Sequence, residues 1–145
     1  MGGILINRIL TEGMKQAKAA DELILSPHSE VGDVRAFLLK NGWRIEAEDM
    51  VKEDGKFYTV IKAIKQEYDE TDDDLSDSQK ELFLAYGREL LIGRHPVLKE
   101  MLLKEQDTGN RILENLRTNG SEASSYRIKE IQDKQELIAK AMEYF

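Results

Sequence analysis

Two runs of alternating apolar and polar residues flank the tetrapeptide Glu53-Asp54-Gly55-Lys56. The first is Trp43-Arg44-Ile45-Glu46-Ala47-Glu48 and the second Phe57-Tyr58-Thr59-Val60-Ile61-Lys62-Ala63-Ile64. Alternation with period two is the mark of a strand with one buried face. Asp-Gly between two such runs supplies the left-handed backbone of a tight hairpin turn. This feature commits the middle of the chain to antiparallel sheet and limits what its flanks can be.

Upstream, Ile6, Ile9, Leu10, Met14 and Ala17 recur at helical spacing, so Ile4 to Ala20 reads as a helix, with a break or kink possible at Gly13. Leu23-Ile24-Leu25 is a short continuous apolar run that ends at Ser26-Pro27-His28, where proline stops ladder bonding. It reads as a buried strand of parallel type. Ser29 is the expected N-cap of the next helix, with Val31, Val34, Phe37 and Leu38 inward and Gly42 as its stop. Residues 1 to 66 therefore read helix, strand, helix, strand, strand, the end of an α/β sheet closed by a hairpin.

The pattern changes at Glu67. The segment 67–77, EYDETDDDLSD, holds seven acids and no base. Residues 1 to 66 hold ten of each sign and residues 78 to 145 eleven of each, so the net charge of −7 sits wholly in this segment. It reads as a solvated linker, and the net charge says little about the remaining surface. Beyond it, Ser78 to Ile92 reads as one helix with Leu82, Phe83, Tyr86 and Leu90 on one side. Gly93-Arg94-His95 reads as a joint, and Pro96 fits the first turn of a new helix. Leu98, Leu102, Glu105, Gly109, Ile112 and Leu116 then alternate by four and three. Ile128, Ile131, Gln135, Ile138, Met142 and Phe145 repeat the spacing after a break at Asn119-Gly120, with Ser121 as the cap of the restart. Two such arms joined by a short turn predict an antiparallel helical hairpin over 78–145.

The chemistry legible from residue types is sparse. No cysteine is present, and the two histidines are far apart, so no metal site is expected. No apolar run approaches the roughly 18 residues of a membrane span, and Met1 to Ile6 has no basic region of a signal peptide. A cytoplasmic protein is the expectation. No P-loop, nucleophile elbow or G-x-G-x-x-G occurs. Gly2-Gly3 before a helix could let backbone approach a ligand, and Ser26-Pro27-His28 could border one at the end of a parallel strand. Ordinary turns explain both as well. His95, before a proline, is read as structural. Trp43, Phe57 and Tyr58 could stack on bases, and the lysines and arginines of the helical arms could meet phosphates; sheet packing and solvated helix faces are the plainer readings.

The order of segments resembles one family, the bacterial tRNA adenine-22 N1-methyltransferases, which use S-adenosylmethionine. The resemblance is carried by Met1-Gly2-Gly3 before an apolar helix, by Leu23-Ile24-Leu25-Ser26-Pro27-His28, and by Val34-Arg35-x-Phe37-Leu38 leading to Gly42-Trp43-Arg44-Ile45. Its most specific piece is Glu53-Asp54-Gly55-Lys56-Phe57-Tyr58, with Gly93-Arg94-His95-Pro96 as the entry to a helical domain. It implies the C-terminal part of a Rossmann-like methyltransferase domain (residues 1–66), the linker (67–77) and an α-helical, coiled-coil-like hairpin domain (78–145). By position, Met1-Gly2-Gly3 match the end of the family's A-G-M-G-G loop. Gly2, Gly3, Pro27 and His28 would then line the active-site loops, with Met1 and Gly2 near the cofactor. The helical arms would help hold tRNA. The family's first strands and its D-x-G-x-D-like cofactor turn have no counterpart here. The expected reading is thus a fragment inactive alone, from a shortened gene beginning at an internal methionine, or one completed by another chain. The alternative is a non-catalytic module that binds RNA or protein.

Overall fold

A computed structural model describes residues 22–27, 29–66, 74–119 and 122–145. The helix expected over Ile4 to Ala20 and the cap expected at Ser121 lie outside them. Within them run strand β1 (Glu22–Leu25), helix α1 (Val31–Lys40), strands β2 (Trp43–Glu53) and β3 (Lys56–Lys65), and helices α2 (Asp77–Tyr86), α3 (Arg88–Ile92), α4 (Pro96–Thr118) and α5 (Glu122–Met142).

The hairpin forms as the sequence predicts. Asp54 and Gly55 both adopt positive φ, 52° and 76°, the backbone of a type I′ turn whose twist matches the strands it joins. Its strands are longer than the alternating runs, with Glu53 opposite Lys56 at one end and Trp43 opposite Lys65 at the other. The sheet order is β1-β3-β2. β1 pairs antiparallel with β3, Leu23 opposite Ala63 and Leu25 opposite Ile61, where a buried strand of parallel type was expected at Leu23–Leu25. A three-residue apolar run carries no information about strand direction. The half-buried Leu23 and Leu25 pack toward the core, while Ile24 is 67% exposed.

A β-bulge interrupts β2: Ile45 pairs with Ala63 and Ala47 with Lys62, leaving Glu46 as the extra residue. One extra residue exchanges the two faces of a strand. Before the bulge Trp43 and Ile45 pack against α1. After it Glu48 and Met50 turn toward the helices and Ala47 is exposed, which simple alternation would have reversed.

α1 stops at Lys40 with Asn41 as C-cap and Gly42 beyond it at φ 83°, as expected. Its start differs. Glu30, in the left-handed region, is the N-cap without a side-chain cap bond, and the Ser29 hydroxyl donates to Glu30 Oε2 at 2.8 Å instead of capping the helix. α2 begins one residue earlier than expected. Ser76 forms a capping box with Gln79, which satisfies two backbone donors reciprocally. The single helix expected over 78–92 is broken at Gly87, φ 88°, into α2 and α3. At the joint before α4, Arg94 has φ 51°, Pro96 occupies the first turn, and His95 Nδ1 accepts the Val97 amide at 3.2 Å.

Apolar side chains gather in two clusters. Val34 and Leu38 of α1 pack on Trp43, Ile61 and Ala63 of the sheet. Leu82, Tyr86, Leu90, Leu91, Leu98, Leu102, Ile138 and Ala141 make the second, joined by Met50 from the sheet and partly by Phe57. The hairpin's outer half thus belongs to the helical core. Leu98 and Leu102, early in α4, meet Ile138 and Ala141, late in α5, so the two helices run antiparallel.

Candidate nucleic-acid interface and active-site edge

Of the residues expected to line an active site, Met1, Gly2, Gly3 and His28 lie outside the described residues. Pro27 follows β1 and is fully buried, and its ring offers no hydrogen-bond donor. No group of three or more metal-ligating side chains occurs among the described residues. Nor does any helix there have the length and apolarity to cross a membrane.

A groove of about 780 Å³ lies where the hairpin tip meets α4 and α5. Gly55, Lys56, Phe57 and Tyr58 form one wall; Lys104, Glu105, Thr108 and Gly109 of α4 and Arg127, Glu130, Lys134 and Gln135 of α5 form the others. Lys56, Lys104, Arg127 and Lys134 outnumber Glu105 and Glu130. Arg127 and Glu130 pair at 3.3 Å. Burial pushes the Glu105 carboxyl above its ordinary range, with Lys134 opposing.

The hairpin tip is fastened to α4 by side chains. Lys104 donates to the Gly55 carbonyl at 3.1 Å and lies 5.5 Å from the centre of the Phe57 ring; Lys52 lies 5.7 Å from the same ring and pairs with Glu100. Further along, with Nδ1 accepting from Val97, His95 Nε2 donates to the Asp49 carboxylate at 2.6 Å, a contact that holds the Asp49 carboxyl below its ordinary range. His95 is thereby structural twice over, as cap and as brace. Trp43 is buried in the α1 core and cannot stack on a base; Phe57 is half-buried under its lysines; Tyr58 lines the groove.

Across the arms, Gln135 sits directly over Gly109, where an added Cβ would come within 2.7 Å of its Nε2. The amide donates to the Gln106 carbonyl (2.9 Å) and to Asn110 Oδ1 (2.8 Å). The weak middle of the heptad pattern, Glu105 and Gly109 against Gln135, is thus a polar contact with its own geometry.

Sequence reasoning missed a buried ion pair at the other junction. Arg35 of α1 is 3% exposed and Glu48 of β2 1% at their side chains. Nε and Nη2 of Arg35 donate to the Glu48 carboxylate at 2.8 to 3.2 Å, and Nη1 donates to the Leu84 and Ala85 carbonyls of α2 at 2.8 and 3.0 Å. Desolvation pushes the Glu48 carboxyl up, and Arg35 pulls it back only in part. Arg35 does lie on the inward stripe of its helix with Val31, Val34 and Leu38, but a charged residue there gives no apolar signal. Glu48 faces inward only because of the bulge.

The family described as tRNA (adenine(22)-N(1))-methyltransferase matches residues 1–140 of the chain. The Bacillus subtilis tRNA (adenine(22)-N(1))-methyltransferase is 28% identical across 99% of this chain and 60% of its own length. The crystal structure of the B. subtilis m1A22 tRNA methyltransferase TrmK superposes with a TM-score of 0.79 at 27% identity, covering 97% of this chain and 59% of that one. The Streptococcus pneumoniae protein Sp1610, solved in complex with S-adenosyl-L-methionine, gives 0.76 at 28%, covering 97% and 56%. The chain spans about 60% of the length of the relatives it matches. In those relatives the rest belongs to the same polypeptide, which lends no support to a separate chain completing this one. The described α/β fold is that of these Rossmann-like neighbours, and the chain belongs to the tRNA (adenine(22)-N(1))-methyltransferase family.

Proposed function

We propose that this chain is the C-terminal part of an S-adenosylmethionine-dependent methyltransferase acting on N1 of an adenine in tRNA, and that it supplies the RNA-holding surface rather than the donor site. Residues 1–66 are the end of the methyltransferase domain, 67–77 a linker, and 78–145 a coiled-coil-like hairpin domain. The two apolar clusters support that division, although the hairpin tip leans on the helical side. Methyl transfer to a ring nitrogen depends on holding sulfonium carbon and acceptor in line at close range. Gly2, Gly3, Pro27 and His28, with Met1 and Gly2 toward the donor, border that place in this reading. A tRNA substrate fits the cytoplasmic location expected from the sequence.

The observation that carries the proposal is the cationic groove between the hairpin tip and the two arms, with Tyr58 in its wall. Phosphates are recognised by such clustered lysines and arginines, and an aromatic face can receive an unstacked base. The test is tRNA binding by the 145-residue chain across a range of salt. Lys104→Glu and Lys134→Glu should each weaken binding about tenfold or more and flatten its salt dependence. Unchanged binding in both variants would remove the groove from the interface. In parallel, calorimetric titration of the chain with S-adenosylmethionine should give no micromolar binding.

A further inference from the structure

A second cavity, of about 400 Å³, opens between α1, β2 and the α2–α3 pair. Its apolar lining is Leu39, Ile45, Leu75, Phe83 and Leu84. Its charged groups are Arg35, Arg44, Lys80 and Arg88 against Glu48 and Glu89. Arg35 is spent on Glu48 and two carbonyls. Arg44 is not spent. Its Nε is buried without a hydrogen-bond partner, and neither it nor Lys80 forms an ion pair among the described residues. A buried donor left unmatched costs about 1–3 kcal/mol, and native proteins match nearly all of them. The size lies within the roughly 300–1,000 Å³ range of small-ligand sites, and the make-up, apolar walls with a few convergent polar groups, is typical of them.

We propose that this cavity binds a small organic anion, its phosphate or carboxylate head on Arg44 and Lys80 and a flat apolar body against Leu39, Ile45, Phe83 and Leu84. Guanidinium matches either head group with two parallel hydrogen bonds. The site is built over the Arg35–Glu48 pair, so a ligand here touches the element that ties α1 and β2 to α2. The inference does not rest on the tRNA reading: it draws on a different cavity and different residues.

The test is a titration of the 145-residue chain followed by amide nitrogen–proton spectra, with phenyl phosphate and benzoate as probes and phenol as the uncharged control. Saturable shifts at Leu39, Ile45 and Phe83 are expected with at least one anionic probe. Phenol should bind at least tenfold more weakly. Arg44→Gln and Lys80→Gln should each reduce affinity about tenfold, the loss of one charge-assisted hydrogen bond. Lys80 is exposed on α2, so its variant retains the fold if the Arg44 variant does not. Absence of saturable shifts with both anions, equal binding of phenol, or undiminished binding by the Lys80 variant would each overturn the proposal. A loss of tRNA binding in the Lys104 variant leaves this result untouched, and the reverse also holds.

Discussion

Gly87 and Gly109 each lie against a polar side chain, and the two contacts are built differently. At Gly87 the neighbours are Glu48 and Arg35, which lie too close to the backbone for a Cβ to fit. The Arg35 guanidinium there donates from all three of its nitrogens. At Gly109 the neighbour is Gln135, whose Nε2 is bonded but whose Oε1 is buried without a partner, as is Oε2 of the nearby Glu105. The first junction is closed: its charges are paired, and it joins α1, β2 and α2. The second is incomplete and lies on the wall of the cationic groove. A satisfied network specifies one arrangement, whereas unmatched acceptors leave a surface that a ligand's donors could complete.

Substitutions can break or sharpen this contrast. The largest effect is expected from Arg35→Met, which strands Glu48 in the interior; removing one partner of a buried pair costs about 3–5 kcal/mol. Urea unfolding measures it. The double variant Arg35→Met with Glu48→Leu should recover most of that loss, since two apolar groups leave no orphan charge. A cost under about 1 kcal/mol for the single variant would mean the junction is not closed as described. Gly87→Ala comes next, at about 1–3 kcal/mol, because alanine at φ 88° is strained and its Cβ would lie 2.6 Å from Glu48 Oε2. Thermal melts of this variant should show the transition moved down.

At the open junction the signs change. Glu105→Gln should raise the melting temperature at neutral pH by removing a desolvated charge. Because burial raises the folded-state pKa of Glu105 above its ordinary 4.5, its contribution to stability is fully present below that value and is lost as pH rises through the raised one. The variant's advantage should therefore fade as the melts are taken down toward pH 4.5 and below. The same advantage at every pH would show that packing, not charge, is responsible. Smallest of all is Gly109→Ala. The gain in helix propensity, about 1 kcal/mol, is offset by the displaced Gln135 hydrogen bonds. In a Gln135→Ala background the gain should stand alone, and denaturant unfolding of the pair tests it.

The hairpin, the stop of α1 at Gly42, the restart at Pro96 and the family were legible from the linear chain. The signals behind them are local: a turn type demanded by Asp54-Gly55, a left-handed residue past a helix end, a fixed proline φ. The family motifs are short strings of such signals. The site was legible only in outline. Lysines and arginines on the arms were visible, but Tyr58 joins Lys104 and Lys134 in one groove only because the bulged hairpin folds over α4 and α5.

By itself, the sequence determined periodicities, turn chemistry and the acidic break between two differently patterned halves. It left open everything that depends on a partner distant in the chain. β1 runs antiparallel to β3, Glu46 is squeezed out of the ladder, Gly87 divides one expected helix in two, and Arg35 finds Glu48. Each of these is settled by what lies across the contact rather than by neighbours along the chain. A strand's direction, a bulge and a buried charge are stabilised by ladder bonds, register and desolvation, which exist only once remote segments have been brought together.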